Sequence, residues 1–280
     1  MKRANDVFIS GRQILKDAGC ESAGFDAACI FEHVYGITRT QLIVEPDRLV
    51  DESVFLALCH KRAGGYPLQY ILGSWEFMGL TFKVNESVLI PRPDTETLVE
   101  YIINHGKSPK ILDMCTGSGC IGISLAHYLK DADITLADIS EKALEVAREN
   151  AEKNGVNVKI INADLLDGSQ KYFENESFDI IVSNPPYIKA GDKDMLSGEV
   201  LCEPHIALFS GENGTDHYKA LINLWKDALK KDGLMVLESG YDTWQDIVLL
   251  FERAGYSDIE TVKDIGGVTR LVCAKKYEKN

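Results

Sequence analysis

The sequence predicts an α/β protein, with an open, mostly parallel seven-stranded sheet covered by helices, preceded by a small all-helical domain and a β-hairpin linker. Three observations carry this. From Lys110 onward, short apolar runs alternate with helical patterns, as in a doubly wound sheet. The first quarter instead shows apolar residues three and four apart, with few β-rich runs before residue 75. Between the two, Trp75 to Val84 is aromatic-rich, with an alternation that breaks at Gly79.

Taken in order, Val7, Ile9, Ile14 and Leu15 outline a first helix ending near Gly19. Residues 25–34 form a second, closed by Gly36; residues 39–43 a short third; and residues 54–63 a fourth, closed by Gly64-Gly65. The helical domain therefore takes residues 1–74, the linker 75–91 and the α/β domain 92–280. Pro91 and Pro93 punctuate the chain before a helical pattern over 95–103. Strands are expected at 111–114, 134–137, 158–161, 179–182, 234–237, 258–262 and 271–274. Helices are expected at 120–129, 141–153, 218–229 and 248–254. The last two strands leave no room for a helix between them, so they pair as an antiparallel hairpin.

Composition narrows the function. Against 43 Asp and Glu stand 30 Lys and Arg, a formal net charge of −13. That disfavours a general nucleic-acid binder, whose affinity rests on Lys and Arg. No apolar run is long enough to span a membrane, and Met1-Lys2-Arg3 is not followed by the apolar stretch of a secretory signal. A cytoplasmic protein is expected. The seven cysteines are scattered and form no C-x-x-C pair, and the six histidines form no H-E-x-x-H. Reduced thiols and no metal site are the expectation.

The strand candidate Ile111-Leu112-Asp113-Met114 runs into Cys115-Thr116-Gly117-Ser118-Gly119-Cys120-Ile121-Gly122, which satisfies G-x-G-x-x-G and opens a helix. Glycines there permit positive φ and close approach of a ligand to the backbone. Asp138 ends the second strand candidate, where a carboxylate can accept both hydroxyls of a ribose. These residues fit either NAD or S-adenosylmethionine. Asp113 at the strand tip suits a ligand carrying an amine and a sulfonium better than one carrying phosphates. Asp164, after the third strand, is placed to bond an adenine amine, or to cap a turn.

Ser183-Asn184-Pro185-Pro186-Tyr187 follows the apolar strand Phe178-Asp179-Ile180-Ile181-Val182 directly. Ligands of open α/β sheets bind beyond the carboxyl ends of strands. Two prolines remove two backbone donors and leave carbonyl acceptors. Asn184 adds a side-chain acceptor and Tyr187 a flat face. Together they form a socket for a planar –NH2 group: two acceptors hold its hydrogens while the ring packs on the attached π system. Gripping both hydrogens draws electron density onto a poorly nucleophilic nitrogen and stabilises the charge that develops on methyl transfer.

N-P-P-Y in this setting resembles methyltransferases that act on planar amines, either exocyclic amines of nucleic-acid bases or glutamine side chains. Further stretches are similar to the release factor glutamine methyltransferases (the HemK/PrmC family): Pro67-Leu68-Gln69-Tyr70-Ile71-Leu72-Gly73, Leu89-Ile90-Pro91-Arg92-Pro93-Asp94-Thr95-Glu96, Asn150-Ala151-x-x-Asn154, Glu203-Pro204-x-x-Ala207-Leu208 and Leu237-Glu238-x-Gly240. The resemblance spans essentially the whole chain. It implies a Rossmann-like class I methyltransferase domain that transfers methyl from S-adenosylmethionine, releasing S-adenosylhomocysteine. The acceptor would be the glutamine of the Gly-Gly-Gln motif in class 1 peptide chain release factors. Asp113, Thr116, Gly117, Ser118 and Gly119 would line the methionine part of the cofactor, Asp138 with Ile139 the ribose, and Asp164 with Leu165 the adenine. Arg92, Pro93 and Thr95 would close over it. Asn184 and the Pro185 carbonyl would grip the glutamine amide, with Pro186 and Tyr187 beside it. The helical domain would dock the release factor, and the enzyme would be a monomer needing no membrane or nucleic acid.

Two positions depart from the family pattern. Thr243 stands where Gln is usual in E-x-G-x-x-Q, and Thr269 precedes Arg270 where an acidic residue is usual. Both are expected to lie away from the socket. A DNA or RNA adenine methyltransferase is the nearest rival and would normally add a Lys- and Arg-rich recognition segment. A nicotinamide dehydrogenase leaves N-P-P-Y without a role. A non-catalytic module predicts a degraded turn or socket, whereas Asp113, Gly117, Gly119, Asp138 and Asn184 are all present.

Overall fold

The computed structural model describes residues 1–105 and 109–277. They form two compact units: Met1–Ser74 together with Ser197–Cys202, and the remaining residues from Trp75 onward.

The first unit contains β1 (Lys2–Arg3), α1 (Ala4–Asp17), α2 (Ala23–Tyr35), α3 (Arg39–Val44), β2 (Leu49–Val50), α4 (Glu52–Ala63) and α5 (Leu68–Leu72). Its helix ends follow local chemistry. Thr38 and Gln41 form a reciprocal capping box at α3, and the Asp51 carboxylate caps α4 by accepting from the Ser53 N–H. Rings carry the core: Phe31 meets Phe8 and Phe55 edge-on at 5.7 and 5.0 Å. The sequence did not predict the antiparallel β1–β2 pair or α5, because two- and five-residue elements are too short to show a period.

A buried ion pair ties this unit together. Arg62 Nε donates to Asp26 Oδ2 at 2.7 Å, and its Nη1 donates to Glu199 Oε1 at 2.7 Å. Asp26 and Arg62 are both buried, and Glu199 belongs to the stretch 197–202 that returns to this unit.

The second unit begins at Trp75, one residue into the hairpin of β3 (Ser74–Phe77) and β4 (Leu80–Lys83). Met78 and Gly79 both have positive φ at its turn, which matches the right-handed twist of two paired strands. The paired strands stop at Lys83, so the hairpin is shorter than the predicted linker. Then come α6 (Glu96–His105), β5 (Lys110–Met114), α7 (Cys120–Tyr128), β6 (Asp133–Asp138), α8 (Glu141–Lys153), β7 (Lys159–Asn162), β8 (Phe178–Ser183), α9 (His205–Leu208), α10 (Asp216–Leu224), β9 (Leu229–Glu238), α11 (Trp244–Arg253), β10 (Tyr256–Lys263) and β11 (Thr269–Lys276). The helix predicted to reach residue 229 ends at Leu224, and Leu229 already belongs to β9.

The strand order is β10-β11-β9-β8-β5-β6-β7. Strands β9, β8, β5, β6 and β7 run parallel, while β11 is antiparallel to β9 and β10, as the final hairpin requires. Both faces are buried, so the strands read as continuous apolar runs rather than alternating ones. Leu112, Met114 and Leu237 pack with Trp225 and Tyr218 on one face; Ile111, Val182 and Val236 pack with Ile123 and Leu98 on the other. Among the described residues no helix is long and apolar enough to cross a membrane.

Replacing Arg62 by Ala strands the Asp26 carboxylate in the helical unit. The expected cost is about 3–5 kcal/mol, the usual penalty for breaking a buried pair from one side, read as a lower midpoint in urea unfolding followed by far-UV circular dichroism.

Candidate active site

The chain leaves β5 to one side, through β6 and β7, and returns on the other through β8 and β9. The carboxyl ends of β5 and β8 thus flank a topological switch point, where open α/β sheets bind ligands. Their register is Met114 against Ser183. The buried Ser183 hydroxyl donates to the Met114 carbonyl at 2.6 Å, which sets the two strand ends side by side.

The glycine turn hangs from the first of these ends. Cys115 takes a left-handed conformation at φ 61°, a cost of about 1–2 kcal/mol for an L residue, and no sequence signal marks it. Gly119 has φ 81° at the start of α7. Gly122 is required by packing: a Cβ there would lie 2.2 Å from Leu136 Cδ2. Asp113 braces the turn from behind, its Oδ2 accepting from Thr116 Oγ1 at 2.5 Å and from the Gly122 N–H at 2.9 Å. Its Oδ1 is buried with no hydrogen-bond partner among the described residues. Asp138 braces the turn from the next strand, accepting from Gly117 N–H and from Ser140 N–H, each at 2.9 Å. The fully buried Asn150 clamps the same region, donating to the carbonyls of Lys83 and Ser118 and accepting from the Lys83 N–H.

A cavity of about 300 Å³ opens over these strand ends, at the lower end of the range for small-molecule sites. Thr116, Gly117, Ser118, Asp138, Ile139, Asp164, Leu165, Asn184, Pro186, Arg92 and Thr95 line it. Asp113, Gly119, Pro185 and Tyr187 are not on its wall. Asp113, read from sequence as facing a cationic ligand, turns its Oδ2 into the turn it supports. Asp164 lines the cavity and caps a 3-10 turn through the Leu166 N–H at 2.8 Å.

Asn184 connects the cavity to the segment before α6. Its Nδ2 donates to Thr95 Oγ1 at 3.3 Å, which leaves Oδ1 as the acceptor. Tyr187 packs over Gly240, where a Cβ would lie 2.9 Å from its ring. Burial, with the Glu238 charge adding to it, pushes the Tyr187 phenol up to about 12, so it stays neutral. The loop is pinned beyond Tyr187 by Ile188 N–H to the Leu208 carbonyl and Ser210 N–H to the Ile188 carbonyl.

Residues that the sequence marked only as motif letters acquire positions here. The buried Glu203 accepts from the Ile90 N–H at 3.2 Å and from Arg92 Nη2 at 2.5 Å, holding the segment that lines the cavity. Arg270 pairs with Asp94 at 2.5 Å and with Asp264 at 2.9 Å. Thr243 does not lie away from the socket as expected. It is buried, and the same Cβ position at Gly240 that touches Tyr187 lies 3.3 Å from Thr243 Oγ1.

Burial pushes the Asp113 carboxyl up to about 7, against the lowering by its Thr116 and Gly122 hydrogen bonds. A raised acid is stabilising below its ordinary range, and that contribution is lost as pH rises through 7. Asp113→Asn should therefore gain thermal stability on the wild type between pH 5 and pH 8; a constant difference in melting temperature would contradict this.

Residues 6–73 match the PrmC N-terminal domain family, and residues 93–213 the Methyltransferase small domain family. The chain is 37% identical to the release factor glutamine methyltransferase of Clostridium acetobutylicum, with 97% of this chain and 98% of that protein covered. It is 39% identical to that of Flavobacterium psychrophilum, with coverage of 87% and 88%. A crystal structure of a methyltransferase from Pyrococcus furiosus superposes with a TM-score of 0.52 at 20% identity, covering 71% of this chain and 90% of that one, and shares its α/β fold. With relatives this similar over nearly their full length, the chain belongs to the release factor glutamine methyltransferase family.

Proposed function

We propose that this protein transfers methyl from S-adenosylmethionine to the side-chain amide nitrogen of the glutamine in the Gly-Gly-Gln motif of class 1 peptide chain release factors. The observation that carries this is the Asn184 amide. Its Nδ2 is engaged by Thr95, which leaves its Oδ1 as an acceptor, and Asn184 lines a cavity that also holds the glycine turn and two carboxylates.

The cavity suits S-adenosylmethionine. Asp138 has oxygens on the wall, each already accepting one backbone N–H, and a carboxylate retains further lone pairs for two ribose hydroxyls. Asp164 and Leu165, also on the cavity wall, would offer an acceptor to the adenine amine and an apolar surface to its ring. Thr116, Gly117 and Ser118 offer a polar rim for the amino acid part, and Arg92 with Thr95 covers it. When bound, the cofactor supplies an electrophilic methyl on a sulfonium.

The chain's own residues do the rest. Asn184 Oδ1 and the Pro185 carbonyl accept the two amide hydrogens, with Pro186 and the neutral Tyr187 ring beside the amide plane. That grip stabilises the positive charge that develops on nitrogen as the methyl is transferred. It also fixes the nitrogen's line of attack, a contribution of about 7–11 kcal/mol in ideal cases. The nitrogen sheds its proton after the new C–N bond forms, so the residues need not supply a strong base. The helical unit is the release factor's docking domain in this reading, and the enzyme acts as a cytoplasmic monomer.

Labelled S-adenosylmethionine with purified release factor tests the proposal. Label should appear on the intact factor and be absent from a Gln-to-Ala variant of its Gly-Gly-Gln loop and from duplex DNA. Label on the DNA would identify a base amine as the occupant of the socket. Asn184→Ala should abolish transfer while isothermal calorimetry shows cofactor affinity preserved.

A further inference from the structure

His217 also lines the cavity, and neither the glycine turn nor N-P-P-Y gives it a task. It stands half-buried in the first turn of α10. The fully buried Ser210 holds one side of its ring: Ser210 Oγ accepts from the His217 backbone N–H at 3.1 Å and lies 2.6 Å from His217 Nδ1. Among the described residues Ser210 Oγ has no other acceptor, and His217 Nε2 has no hydrogen-bond partner. A serine hydroxyl carries one proton, and here Nδ1 is the acceptor within its reach. The opposite tautomer, with Nδ1–H turned on Oγ, would strand the serine proton in a buried site. Nδ1 therefore accepts, and Nε2 carries the ring proton. Burial lowers the imidazole below its usual range, against Asp216 and Asp164, so at neutral pH the ring is uncharged and its tautomer decides what it binds.

We propose that His217 is a cofactor-binding residue whose Nε2–H donates to a ring nitrogen of adenine while Asp164 accepts from the amine beside it. This rests on the reading of the cavity as the S-adenosylmethionine site. The two side chains reach that site from different elements that are fixed to each other. Helix α10 packs on the 3-10 turn Leu165–Asp167, which Asp164 caps. Trp225 follows α10 directly, and its Nε1–H donates to the Leu165 carbonyl at 2.8 Å. The Asp164 N–H donates to the Tyr172 hydroxyl at 3.0 Å, and the Tyr172 ring stacks on Trp225. Asp164 spends Oδ1 on the Leu166 N–H, which leaves Oδ2 for a ligand. The wall thus offers an acceptor from one element and a ring N–H donor from the next. Adenine carries the complement: its amine has an unprotonated ring nitrogen on either side, N1 and N7.

The test is calorimetry with S-adenosylhomocysteine and its 1-deaza and 7-deaza analogues, in which one ring nitrogen becomes CH. His217→Phe keeps a flat ring and removes the donor. It should weaken S-adenosylhomocysteine binding about 3- to 10-fold, the worth of one neutral hydrogen bond, and His217→Gln, whose amide N–H stands near the place of Nε2–H, should restore most of the loss. The wild type should bind one of the two analogues more weakly by a similar factor, and for that analogue His217→Phe should cost nothing more, as expected of two changes that remove one contact. Nitrogen-15 spectra of the histidine rings should show His217 with its proton on Nε2, and that N–H signal should shift on adding S-adenosylhomocysteine. The spectra decide the matter even if His217→Phe fails to fold. Wild-type affinity in His217→Phe, a deaza loss that adds to the Phe loss, or a ring proton on Nδ1 overturns the assignment while the cofactor site stands. A wild type that does not bind S-adenosylhomocysteine at all removes the cofactor reading of the cavity, and the role of His217 with it.

Discussion

The parallel pairing of β5 with β8 is the constraint on which the site depends. Neither strand carries the chemistry alone. β5 delivers a glycine turn and β8 delivers Asn184, and only adjacent parallel strands bring both to one edge of the sheet. The Met114–Ser183 register sets the offset between them, and the Ser183 hydroxyl on the Met114 carbonyl locks it. A slip of one residue would turn every side chain on β8 to the other face, exchanging the Ile181 and Val182 environments in two separate cores.

Around that edge the molecule gathers carboxyl groups where water is excluded. Burial raises the carboxyls of Asp113, Asp138 and Glu238. Asp113 and Asp138 are braced by hydrogen bonds to backbone or hydroxyl groups, and the rise at Glu238 is opposed by Arg270 and Arg92. The acidity of the chain, which disfavours nucleic acid at its surface, thus has a counterpart inside the site.

The sheet, its strand positions and its final hairpin were legible because burial on both faces leaves uninterrupted apolar runs, and because helices between them keep a period. The glycine turn, Asp138 and N-P-P-Y were legible because their residue types are rare in combination. What was not legible depends on distance in space. The end of α10 was misplaced because Leu229 is apolar and serves a strand as well as a helix. The hold of Asp113 on its own turn was not legible, because a carboxylate at a strand tip gives no clue which way its oxygens turn. Glu203 and Arg270 could only be read as motif letters, since their partners Arg92 and Asp94 lie far away in the chain. The left-handed Cys115 carries no glycine or asparagine to announce it.

The stretch Ser197–Cys202 has a consequence for how such a protein can change over evolutionary time. Because these residues belong to the helical unit while the chain on either side belongs to the other, the polypeptide passes between units at three places rather than one. A recombination event that transplants residues 1–74 as a cassette leaves Glu199 behind, and Arg62 arrives in its new host with one of its two carboxylates missing. The helical unit is therefore inherited together with the loop that follows Asn184–Tyr187, and the two are expected to diversify as a pair rather than by shuffling.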